Sequence, residues 1–68
     1  MASRQFRRYL RMAVKDELSA IAMYSNMANM VRNRHLKAVI MSIAGDEANH
    51  ARTWMTMQAL MPRRRRMM

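Results

Sequence analysis

An unbroken heptad spacing, interrupted once, limits what this chain can fold into more than any other feature. Steps of four and three residues from Phe6 land on Leu10, Ala13, Glu17, Ala20, Tyr24, Met27 and Val31. The same steps from Leu36 land on Ile40, Ile43, Glu47, His50, Trp54, Met57 and Met61. Positions three and four apart share one face of an α-helix, so each run predicts a long helix with a continuous seam. At about 1.5 Å per residue, each helix would be roughly 40 Å long. One glycine and one proline in 68 residues leave little turn vocabulary, which argues against a hairpin-rich sheet.

The interruption falls in Arg32-Asn33-Arg34-His35, where Asn33 is the candidate turn or N-cap residue. Pro62 ends the second run, because its ring cannot continue the hydrogen-bond ladder. The expected organisation is a helical hairpin over residues 1–61, with helices at about 4–32 and 34–61. Residues 62–68, with Arg63 to Arg66, read as a disordered basic tail. Gly45 costs about 1 kcal/mol relative to alanine in a helix interior, and Asp46 offers a cap for a fresh start. The seam nevertheless passes Gly45 in phase, which predicts one continuous helix.

A short connection makes the helices antiparallel. Counting outward from the turn puts Met27 opposite Ile40, Tyr24 opposite Ile43 and Ala20 opposite Glu47. It also puts Glu17 opposite His50 and Ala13 opposite Trp54. Ile21, Met23, Met30, Val39 and Met41 lie beside the seams and widen the apolar stripe. A two-helix hairpin leaves half of such a stripe in water, and a chain this short struggles to bury a core alone. The expected fold is therefore all-α, with two hairpins pairing into a four-helix bundle.

The only acids are Asp16, Glu17, Asp46 and Glu47, against thirteen Lys and Arg, for a formal charge of +9. Asp16 and Asp46 fall off the seams and read as solubilising or locally paired charges. Glu17, Glu47 and His50 occupy seam positions that leucine or isoleucine would normally fill. A buried carboxylate needs a cation or must become neutral, and neither seam carries a Lys or Arg. Protonation, a buried polar network that fixes register, and metal binding would each answer the problem. A dimer brings four glutamates and two histidines to one level, enough to balance two divalent ions. Oxygen ligands with one imidazole per metal suit iron or manganese better than a closed zinc site. Glu47-x-x-His50 sets both side chains on one helical face, within reach of one ion. The absence of cysteine removes thiolate zinc sites, iron–sulfur clusters and disulfides.

Two segments, Asp16-Glu17-Leu18-Ser19-Ala20-Ile21-Ala22-Met23-Tyr24 and Ile43-Ala44-Gly45-Asp46-Glu47-Ala48-Asn49-His50-Ala51, carry a resemblance. They resemble the helix motifs of ferritin-like di-iron proteins of the rubrerythrin type, over roughly residues 10–55. That layout takes a Glu from each of two helices and a Glu-x-x-His from each of the others. The match is to half of such a site, as in the short two-helix branch of encapsulated ferritins, where two chains complete it. The resemblance implies two iron ions per dimer, with manganese as the alternative. It implies that Glu17 is a terminal ligand, that Glu47 bridges the metals and that His50 binds one of them. Tyr24 would be an outer donor or a redox-active phenol, although a plain core aromatic fits the spacing equally well. The implied activity is a ferroxidase using O2 or hydrogen peroxide. A peroxidase with an external reductant is the alternative, since this chain has no cysteine-based rubredoxin unit.

The remaining features admit plainer readings. Trp54 reads as core packing, His35 as a solvated turn residue, and the eleven methionines as adaptable apolar filler. Soft copper(I) ligation by Met23, Met27 and Met30, or a sink for oxidants, would be the sharper readings of the methionines. Arg4, Arg7, Arg8, Arg11 and Lys15 gather near one end with Arg63 to Arg66. That end suits an anionic partner, and a non-enzymatic helical module for nucleic acid or an anionic surface is the competing function. No apolar run is long enough to span a bilayer and no secretory leader pattern appears, so a cytoplasmic location is expected.

Overall fold

The computed structural model describes residues 3–61, and its described residues form two helices with no strand. Helix α1 spans Arg4–Asn29 and helix α2 spans Arg34–Leu60. They pack on each other as the expected antiparallel hairpin. Each start is capped by a side chain that satisfies an otherwise unpaired backbone donor. Ser3 accepts from the Phe6 N–H at 3.0 Å, and Asn33 Oδ1 accepts from the Leu36 N–H at 2.9 Å.

Helix α1 stops at Asn29 without a glycine to turn the chain. Its last turn tightens instead, the Met30 N–H donating to the Met27 carbonyl at 3.0 Å. Val31 therefore lies in the connection rather than in the helix. Helix α2 runs through Gly45 unbroken, and a methyl group there would meet nothing within 4 Å. It ends before Met61, whose ψ of 144° is the extended conformation imposed on a residue that precedes proline. The expectation for residues 62–68 lies outside the described residues.

The packing buries the two edges of the seam unequally. Half of the seam faces inward: Leu10 and Ile40 are buried, and Glu17, Tyr24, Glu47 and Trp54 are half-buried. Ala28, Ala44 and Ala51, none of them a seam position, complete this core at 2–4% exposure. Other seam positions face sideways. Phe6, Met27, Leu36, Ile43 and Met57 are all 40–47% exposed. The physical reason is the width of the apolar stripe, which is broader than one heptad line. The helices settle where alanines permit close approach, and the lateral half of the stripe is left without a neighbour.

Arg4, Arg8, Arg11 and Lys15 are all exposed and recur at helical spacing, so they line one face of α1. No described helix is long and apolar enough to cross a membrane.

Candidate metal centre

Glu17 stands midway along α1, and Glu47 and His50 stand midway along α2. The antiparallel packing brings these two levels together. One ligand atom from each of the three residues lies within 4.8 Å of the others. His50 Nδ1 is 3.0 Å from Glu47 Oε1 and 3.6 Å from Glu17 Oε2. An ionised carboxylate has no proton to give, so Nδ1 donates to Glu47 in this arrangement.

Exposure divides the three residues. The Glu17 and Glu47 side chains are 19% and 23% exposed, whereas that of His50 is 60% exposed. The two carboxylates therefore sit in the inward core. The imidazole sits on the lateral stripe, between Ile43 and Met57 at one heptad on either side.

Glu17 was expected opposite His50, and the two side chains do meet. Trp54, expected opposite Ala13, also reaches Glu17. The Trp54 indole Nε1–H donates to Glu17 Oε2 at 3.3 Å, about one turn further along α1. Spacing alone reads Trp54 as packing, but a signal was available. A buried indole N–H seeks an acceptor, and the acids nearest across the interface are seam glutamates. Tyr24 is half-buried on the Glu17 face of α1 and makes no hydrogen bond to Glu17, Glu47 or His50. Asp16 and Asp46 are exposed and outside the cluster.

The donor set fits a hard or borderline divalent ion. It offers carboxylate oxygens and one imidazole nitrogen, with no thiolate or thioether among them. Among the described residues no Lys or Arg is shown paired with either glutamate, and their neighbours are the His50 imidazole and, for Glu17, the Trp54 indole. Three donors, one ligand atom from each residue, fill only half of a six-coordinate iron or manganese sphere.

A helical hairpin that brings two glutamates and a histidine to one level, with Glu47 and His50 at Glu-x-x-His spacing, presents the donor types used by ferritin-like carboxylate bundles. The family model of rubrerythrin matches residues 8–65, which takes in both helices and the whole cluster. The chain belongs to the rubrerythrin family, and is accordingly a ferritin-like protein of the di-iron carboxylate type. No curated protein and no solved structure matches it.

Proposed function

We propose that this chain is one half of a di-iron ferroxidase, completed when two hairpins pair through their lateral stripes. The observation that carries the reading is the division of the cluster. Glu17 and Glu47 converge inside the hairpin, while His50 lies on an apolar face that the described residues leave open. Pairing two copies on that face would bury His50 and bring four carboxylates and two imidazoles to one level.

In this reading Glu17 is a terminal ligand, Glu47 bridges the two metals and His50 binds one of them, roles taken from the family layout. Iron held there supplies one-electron chemistry toward O2 or hydrogen peroxide, and manganese fits the same donors. The protein contributes position and charge. Two glutamates per chain offset one divalent ion, and the apolar stripe around His50 would exclude bulk water once covered. His50 Nδ1 lies 3.0 Å from Glu47 Oε1, so helix α2 already holds two of the donors side by side for one ion. Fe(II) would be the substrate, and Tyr24 lies on the same face as a candidate outer donor.

Anaerobic titration with Fe(II), followed by exposure to O2 or peroxide, tests the assignment. Saturation near one iron per chain is expected, with oxidation faster than in buffer. Glu47→Ala and His50→Ala should lose both uptake and rate. Undiminished oxidation by either variant would contradict the assignment.

The family match also supports a second reading, a peroxidase fed by an external reductant. Sustained peroxide turnover with an added donor, and no net iron deposition, would select it.

A further inference from the structure

We infer that Trp54 is a positioning residue for the metal centre: its indole N–H fixes the Glu17 carboxylate so that one oxygen remains free for the ion. This inference rests on the metal-site reading above. Its starting point is a side-chain hydrogen bond that crosses between the helices to a candidate ligand, Trp54 Nε1 to Glu17 Oε2 at 3.3 Å.

Three features of the contact favour this role over simple packing. The donor is neutral. A Lys or Arg in its place would neutralise Glu17 and compete with the ion, whereas an indole orients the carboxylate and leaves its charge intact. The contact is also selective. Trp54 engages Oε2, the oxygen that His50 Nδ1 approaches at 3.6 Å, so Oε1 has neither as a partner. Finally, the donor is anchored. Trp54 is half-buried on the inward stripe of α2, one turn beyond His50, with fully buried Ala51 between Glu47 and Trp54 along that stripe. Small Ala51 permits close helix approach, so Glu17 on α1 reaches the indole and the imidazole together.

A glutamate side chain has three rotatable bonds, and freezing them on metal uptake costs affinity. A partner that holds the chosen rotamer beforehand removes part of that cost. Hydrogen-bond partners of metal ligands characteristically alter affinity by about 10–100-fold when lost. Trp54 is the only tryptophan in the chain, so its signals are unambiguous.

The test replaces Trp54 with 3-benzothienylalanine, which keeps the shape of indole and substitutes sulfur for the N–H. Trp54→Phe serves as a genetically encoded counterpart. Anaerobic Fe(II) affinity is measured in each, with helicity and oligomeric state recorded alongside. Both variants should remain helical, keep the native stoichiometry and bind Fe(II) about 10–100-fold more weakly. In metal-free native protein, the single indole N–H resonance should move on Glu17→Ala and again on Fe(II) or Mn(II) addition. Native uptake of Fe(II) with equal affinity in the benzothienylalanine protein would overturn the positioning role while leaving the metal site standing. No uptake by the native protein would overturn both.

Discussion

Ile40 and Ile43 are the same residue on the same seam of the same helix, yet one is 7% exposed and the other 40%. The contrast extends along the molecule. Leu10, Ile40 and the alanines at 28, 44 and 51 are covered by the opposite helix. Phe6, Met27, Leu36, Ile43 and Met57 repeat with the same period and are left 40–47% exposed by the described residues. A heptad pattern thus records how many neighbours a helix expects, and does not say which chain supplies them. In this hairpin one neighbour is the second helix. The other, on the proposal above, is a second copy, and the candidate metal ligands are divided between the two environments.

The largest expected effect comes from placing a charge on the lateral stripe. Leu36→Asp puts a carboxylate in the first turn of α2, where the helix dipole favours it, so the hairpin itself should be undisturbed. Burying that charge between copies should weaken self-association by at least about 100-fold, roughly 3 kcal/mol. Sedimentation velocity across a dilution series would show it, and unchanged association would remove the lateral stripe as the contact.

Next in size is the inward counterpart. Ile40→Ala should cost about 2 kcal/mol in chemical denaturation, near the low end for such truncations because a two-helix core collapses readily. The loss should be independent of protein concentration below the dimer threshold. Ile43→Ala should lose stability only where the dimer forms. Equal losses for the two variants in dilute protein would erase the distinction between the stripes.

Two smaller changes touch neither stripe. Asn33→Ala removes the cap on Leu36 and should destabilise by about 1 kcal/mol without altering association. Gly45→Ala adds a methyl group that meets nothing within 4 Å and should stabilise by about 1 kcal/mol. A destabilised Gly45→Ala protein would mean that this exposed position of α2 is covered in the assembly.

Much of this architecture is legible in the residue order, for identifiable reasons. Periodicity shows both helices, and the same phase argument carries α2 through Gly45. Asn33 announces the start of α2 because few side chains accept from a helix's first N–H groups. The isolation of Glu17, Glu47 and His50 on apolar seams marks the cluster before any coordinate is known. What periodicity does not resolve is rotation about the helix axes. A stripe broader than its heptad line can turn either edge inward, and the buried alanines decide the matter only through packing. The Trp54–Glu17 contact escapes because it depends on how far two long side chains reach along the helices, which spacing does not give. Ser3 escapes because a cap outside the seam has no period.

Native mass spectrometry of the anaerobic Fe(II)-loaded protein tests the central claim most directly, because it reads chain count and metal count together. A site shared between two hairpins predicts a species of two chains carrying two iron ions, with metal-loaded monomer absent. Iron bound to single chains, or a dimer that forms and takes up no iron, would contradict it.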